Sequence, residues 1–164
     1  MLDALALIEK HQSKGVLVDT NLLVLFLVGL VNRQRIVSFK RTQNFTVHDF
    51  DLLARLIGRF GKLYATPHVL SQVSDLTKLP GKELREIRSL FKLLVEKIEE
   101  SYEPSRVLAT DPIFERLGLA DAAITRVCSQ GILVLTADFD LHHALELRGA
   151  DALNFNHARQ LGWN

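Results

Sequence analysis

Three aspartates stand directly after short apolar runs of this 164-residue chain. Asp19 follows residues 16–18, while Asp138 and Asp140 follow residues 132–136. Continuous apolar runs of this length are typical of strands that are buried on both faces, and such strands belong to parallel sheets. Open parallel sheets bind ligands just outside the carboxyl ends of their strands. The three carboxylates are therefore predicted to lie at one edge of a sheet.

A fourth aspartate, Asp121, opens a helical segment that leads into residues 132–136, which brings it toward the same edge. Two unit charges about 4 Å apart repel each other by on the order of 4 kcal/mol at an effective dielectric constant of 20, so a cluster of acids requires protons or a cation. Mg²⁺ and Mn²⁺ prefer oxygen ligands and keep several waters. The pattern indicates metal-assisted attack of water on a phosphodiester, without a nucleophilic side chain.

Helix capping is the simpler role for the same residues. Aspartate is a favoured N-cap, and Asp19, Asp121 and Asp138 each stand at the start of a predicted helix. Capping does not require the three carboxylates to converge, however. Their predicted convergence at one sheet edge favours a functional site.

The segments that position these acids alternate between strand and helix. Further strands are predicted at residues 63–66, 106–109 and, from a weaker signal, 152–155. Helices are predicted over residues 22–31, 47–60, 67–78, 82–100, 121–129 and 141–147. This alternation predicts an α/β fold with three layers, a parallel sheet of about five strands with helices on both faces. One domain is expected over residues 1–164.

The composition narrows the class of protein. Apolar residues make up 48% of the chain and charged residues 24%, which is typical of a globular domain, and a net charge of +1 gives no strong overall attraction to nucleic acid. The lone Cys128 excludes an intrachain disulfide, and the N-terminus lacks a signal-peptide pattern, so a cytoplasmic location is expected. Trp163 is expected to pack near the C-terminus.

Residues 22–31 form the longest apolar run, which is too short for the roughly 20 residues of a membrane span, and no membrane association is expected. The run is apolar on all sides, which is more than one helix face of a small domain usually hides. It predicts a homodimer, or a partner chain, that covers this helix. Complete burial within the chain is the alternative.

Taken together, the acidic segments resemble the PIN-domain family. The matching segments are Val18-Asp19-Thr20-Asn21, Leu119-Ala120-Asp121-Ala122-Ala123 and Leu135-Thr136-Ala137-Asp138-Phe139-Asp140, and their order and approximate spacing fit over residues 15–155. The resemblance implies a parallel sheet with flanking helices and Mg²⁺- or Mn²⁺-dependent cleavage of RNA. Many members are toxins of bacterial toxin–antitoxin pairs and others process or degrade RNA, so both roles, and an antitoxin partner, stay open.

The resemblance also implies roles for individual residues. Asp19, Asp121 and Asp138 would be the catalytic metal ligands, and Asp140 would contact these ligands or replace one of them. Asn21 would orient Asp19 or a bound water, and Thr136, within the third motif, would support the site.

The chain departs from the family pattern at Gln72, where the family usually carries a glutamate in the helix after the second strand. Glutamine offers a carbonyl oxygen without a charge. Asp75 lies one turn further on, on a similar helix face, and is a candidate substitute. The departure leaves open a PIN-like module that binds RNA or a protein without cutting.

A basic stretch, Arg33, Arg35, Lys40 and Arg41, is predicted to contact RNA phosphates beside the site, an ordinary solvated surface being the alternative. A small phosphatase or nucleotide-binding enzyme is a further alternative function. Residues 19–21 lack the Asp-x-Asp spacing of aspartyl-phosphate enzymes, however, and the chain has no phosphate-binding Gly-rich loop of the Gly-Lys-Ser/Thr type.

Overall fold

The strands of this chain are short, and two neighbouring strands in the middle of the sheet are fully buried, as their apolar sequences predict. A computed structural model describes residues 4–160, and in it all strand pairs are parallel, in the order β3-β2-β1-β4-β5. The strands are β1 (Val16–Val18), β2 (Leu63–Ala65), β3 (Glu99–Glu100), β4 (Leu133–Thr136) and β5 (Ala152–Asn154). The predicted α/β fold with a five-stranded parallel sheet is confirmed.

Helices connect successive strands and form the two outer layers, and one further helix lies before β1 and another after β5. They are α1 (Ala4–His11), α2 (Thr20–Val31), α3 (Val47–Ile57), α4 (Pro67–Leu76), α5 (Lys82–Lys97), α6 (Ser105–Leu108), α7 (Pro112–Leu117), α8 (Leu119–Cys128), α9 (Phe139–Leu147) and α10 (Phe155–Gln160), with a 3₁₀ turn at Arg33–Arg35. None of the helices within residues 4–160 is both long and apolar enough to cross a lipid bilayer. Trp163 lies outside the described residues.

The direction of the connections changes between β1 and β4, which are neighbours in the sheet. From β1 the chain forms β2 and then β3 on one side of β1. It then crosses to the other side of β1 and forms β4 and finally β5. Right-handed crossovers then place α2 to α5 on one face and α6 to α9 on the other. The contacts agree, because α2 packs against α3, α4 and α5, whereas α8 packs against α6, α7 and α9 and contacts α4 from the other layer. A crevice at the carboxyl ends of β1 and β4 follows from this reversal.

One predicted strand is wrong. Residues 106–109 fall in and just after helix α6, and the third strand is instead Glu99–Glu100, where the helix predicted over residues 82–100 has already ended. Three consecutive apolar residues do not distinguish a strand from a short helix. Glu99 and Glu100 lie at the sheet edge with both side chains exposed, and charged residues are a common feature of edge strands.

Helix α2 is covered within the chain. Leu22, Leu23, Val24, Leu25, Leu27, Val28 and Gly29 are buried, and of the large apolar side chains in this helix Leu30 alone is exposed, at 48%. Helices α3, α4 and α5 all pack on α2 and hide it from more than one side. The reason given for a homodimer, that one small domain does not hide such a helix, therefore does not hold.

Gly29 allows the closest of these contacts. A methyl group on its Cα would overlap the ring of Phe50 on α3. The Phe50 ring in turn stacks on Phe26, with 6.3 Å between ring centroids. The glycine therefore lets α2 and α3 approach closely, which helps to bury α2.

Candidate active site

Asp19 leaves β1 and caps α2, so its carboxylate stands at the carboxyl edge of the sheet. Its backbone N–H donates to the Leu135 carbonyl (2.9 Å), which extends the pairing of β1 with β4. Its Oδ1 accepts the Thr20 backbone N–H at 2.6 Å and its Oδ2 accepts the Thr136 hydroxyl at 2.6 Å. With 6% exposure, the carboxylate is held rigidly by one hydrogen bond on each oxygen.

Thr136, the last residue of β4, links two of the predicted ligands. Its fully buried hydroxyl donates to Asp19 and accepts the backbone N–H of Asp138 at 2.9 Å. Asp138 is the N-cap of α9, and its Oδ1 accepts the backbone N–H groups of residues 140 and 141. Capping occupies Oδ1 only. The capping role and a ligand role for the same aspartate are therefore compatible.

Asp121 lies in the first turn of α8 and completes the group of three acids. Burial, together with the negative charges of Asp19 and Asp138, raises its pKa to about 7. Burial also raises the pKa of Asp19, against the opposing effect of its two hydrogen bonds, and the charge of Asp138 adds to this rise. The three carboxylates are thus close enough for their charges to interact, and a cation would relieve their repulsion.

A cavity of about 430 Å³ contains all three carboxylates. It is lined by Asp19, Thr20, Asn21, Gln72, Asp75, Leu76, Asp121 and Asp138. Four of these residues are aspartates, and none is a lysine, arginine or histidine. The lining therefore carries negative charge without an opposite charge of its own.

Helix α4 brings Gln72 and Asp75 to this cavity. The Thr20 hydroxyl donates to Gln72 Oε1 at 2.8 Å, so the amide is fixed next to the cap of α2. Asp75 lies on the rim, with its side chain 71% exposed and 3.4 Å from Lys78 Nζ. The sequence motifs did not predict a role for Thr20. Its position directly after Asp19 was the signal that could have identified it as part of the site.

Asn21 lies at the site as predicted, although its side chain does not orient Asp19, whereas Asp140 lies outside this cavity. Asn21 is exposed on the cavity wall, and Asp19 is oriented by Thr20 and Thr136 instead. Asp140 lines a separate, larger cavity and not the one that holds the other acids. Successive helical residues point about 100° apart, so Asp138 and Asp140 diverge at the start of α9.

The basic stretch lies far from the acids. It begins after the C-terminus of α2, whereas Asp19 caps the N-terminus, and 12 helical residues span about 18 Å. Arg33 pairs with Asp51 through two hydrogen bonds of 2.7 Å, and Arg35 with Glu83 at 2.7 Å. Lys40 and Arg41 are exposed. The structure thus does not place this stretch beside the acidic cavity.

The residues of the acidic cavity suit a hydrated hard cation. Within residues 4–160 no three His, Cys, Asp or Glu side chains are arranged so that they could hold a metal ion directly. Mg²⁺, however, usually keeps several waters and takes only one or two protein carboxylates. A roomy cavity lined by oxygen-bearing side chains, with no positive charge in its lining, meets that requirement.

No protein-family model matches the chain, and no curated protein matches it. The resemblance to PIN domains therefore rests on the three acidic motifs alone.

Proposed function

We propose that this chain is a divalent-metal-dependent endoribonuclease of the PIN type that cleaves RNA phosphodiesters. The observation that carries the proposal is the acidic cavity at the reversal point of the sheet, with four aspartates and no basic side chain in its lining. Loops at the carboxyl ends of parallel strands are where such folds bind ligands. The motif resemblance supplies the substrate class.

Hydrogen bonds from neighbouring residues hold the proposed metal ligands in place. Asp19, Asp121 and Asp138 would hold a hydrated Mg²⁺ or Mn²⁺, with one or two of them bound to the metal directly and the rest through its waters. The Thr136 hydroxyl donates a hydrogen bond to Asp19 and accepts one from the Asp138 backbone N–H, and so holds the two residues next to each other. The Thr20 backbone N–H donates to the second oxygen of Asp19. A bound metal would lower the pKa of a water and stabilise the charge on the phosphate that it attacks.

The first experiment is cleavage of a fluorescent RNA with Mn²⁺ or Mg²⁺, with and without chelator. Cleavage should require the metal and should be lost in Asp19→Asn, which removes a charge but can keep the cap. Asp51→Asn, on α3 and paired with Arg33, is the matched control and should cleave like the wild type. Cleavage that survives chelation, or that persists in Asp19→Asn at the wild-type rate, contradicts the proposal.

A non-catalytic RNA- or protein-binding module is the second candidate. The observation in its favour is Gln72, a neutral amide whose carbonyl oxygen is occupied by the Thr20 hydroxyl. A wild-type protein that binds RNA with Mn²⁺ present, yet leaves it intact, would support this alternative.

Whether an active enzyme serves as a toxin or in RNA processing is tested by co-expression with the product of the neighbouring gene. The buried, free Cys128 is in keeping with the cytoplasmic location that we propose for either role.

A further inference from the structure

A second cavity, of about 790 Å³, is lined by α9, the helix that Asp138 caps, and by β5. Asp138 lines the acidic cavity, whereas the next residue, Phe139, lines this one. The Phe139 ring centroid lies 6.5 Å from that of His157, which in turn lies 6.0 Å from that of His142. A row of three aromatic rings therefore starts one residue after a proposed metal ligand.

The first ring of this row is free to stack on a ligand. Phe139 is 60% exposed, whereas His142 at the other end of the row is 8% exposed. An exposed phenylalanine in the first turn of a helix contributes little to the core. Stacking on exposed aromatic side chains is the usual way in which proteins hold the bases of single-stranded nucleic acids.

The carboxylates of this cavity favour a neutral ring over a phosphate. Asp140 and Glu146 are in its lining, together with His142, His143 and His157, and Glu146 Oε2 lies 3.6 Å from His142 Nδ1. Carboxylates repel phosphate but accept hydrogen bonds from ring N–H and amino groups. Asn154, which is 1% exposed, also lies in the lining. Its Oδ1 accepts the Asn156 backbone N–H at 2.9 Å, and its Nδ2 donor has no partner within residues 4–160.

We propose that this cavity binds one unpaired nucleobase, stacked on Phe139, of the RNA whose phosphate lies at the acidic cavity. Acceptors on Asp140 and Glu146, with an unpaired donor on Asn154, complement a ring that carries both N–H groups and a carbonyl or ring-nitrogen acceptor. The class of substrate rests on the proposed ribonuclease function. The assignment makes the enzyme selective for unpaired RNA near the cut.

Nucleoside binding tests the cavity without any catalysis. The full chain, with chelator present, is titrated with adenosine, guanosine, cytidine or uridine, and with ribose as the control ligand, while NMR follows the ring protons of His142 and His157. At least one nucleoside should shift these signals, and ribose should not. Phe139→Ala should weaken that binding about tenfold or more, and Phe139→Trp should retain it. Leu147→Ala, which removes another exposed apolar side chain of α9, should have no effect.

Cleavage kinetics then separate this proposal from the proposed function. In an active enzyme, Phe139→Ala should raise KM for unpaired RNA about tenfold, with a smaller change in kcat, and weaken the base preference at the cut. Metal-dependent cleavage that is unchanged in Phe139→Ala, without nucleoside-induced shifts, overturns the nucleobase site and leaves the ribonuclease intact. Phe139-dependent nucleoside binding by a chain that does not cut RNA overturns the ribonuclease alone. Equal shifts with ribose and nucleosides would also overturn the nucleobase assignment.

Discussion

Replacing Asp121 by asparagine should stabilise the metal-free protein at alkaline pH. In the folded protein the pKa of Asp121 is about 7, against 3.8 for the ordinary side chain. The folded protein therefore holds its proton more tightly than the unfolded chain does. The free energy of unfolding should fall as pH rises from about 4 to 7, and the whole loss should be present above pH 7.

The size of the effect follows from the two pKa values. At about 1.4 kcal/mol for each pKa unit, the difference between 3.8 and about 7 sets an upper limit of about 4 kcal/mol. Asp121 is only half-buried, and solvent screening reduces this figure. We expect the free energy of unfolding of Asp121→Asn to exceed that of the wild type by about 1–2 kcal/mol at pH 8 and by almost nothing at pH 4. For a domain of this size that is roughly 2–8 °C in Tm.

Thermal unfolding at pH 4, 6 and 8 with chelator measures this difference. Asp75→Asn is the matched control, because it removes a carboxylate from the exposed rim of the same cavity and should change Tm little at any pH. The wild type should also gain about 2.7 kcal/mol at a hundredfold excess of Mn²⁺ over Kd, and Asp121→Asn should lose most of that gain. A variant that unfolds like the wild type at pH 8 would refute the reasoning that buried like charges oppose folding here.

Three further changes test other parts of the structure. Gln72→Glu can keep the hydrogen bond from the Thr20 hydroxyl and adds a charge, so Mn²⁺ should bind about tenfold more tightly by calorimetry, an effect of about 1.4 kcal/mol, with faster RNA cleavage. Unchanged affinity would argue that α4 does not contribute to the metal site. Thr136→Val should lower the free energy of unfolding in urea by about 1–3 kcal/mol and weaken Mn²⁺ binding, because the hydroxyl is lost. Thr136→Ser should keep the stability and the Mn²⁺ affinity of the wild type. Equal losses in the two variants would contradict the role of the hydroxyl. Gly29→Ala should lower the free energy of unfolding by about 1–3 kcal/mol, because the added methyl group overlaps Phe50. Gly61→Ala, whose methyl group meets only an ordinary contact, should leave the stability unchanged. A Gly29→Ala variant as stable as the wild type would show that α2 and α3 separate easily.

Much of the fold could be predicted because buried parallel strands have a local signature. Residues 16–18 and 132–135 are continuous apolar runs that follow a glycine and precede an aspartate closely, and both became central strands. The strand at Glu99–Glu100 gave no such signal, because an edge strand with exposed charged side chains has no apolar pattern. The apolar helix α2 was correctly predicted as a helix, but whether its sides are covered depends on where α3, α4 and α5 pack.

For the candidate site, the sequence by itself determined which acids stand at the ends of strands β1 and β4, since those positions follow directly from the strand boundaries. The tertiary structure decided which of them meet. Asp19 and Asp138 share the hydroxyl of Thr136 because β1 and β4 pair in parallel register, and that register joins residues 117 positions apart. Asp140, two residues beyond Asp138, faces a different cavity because the chain has already turned into a helix there. Strand ends are local features of a sequence, whereas convergence depends on strand register and helix direction, which are set by packing between distant segments.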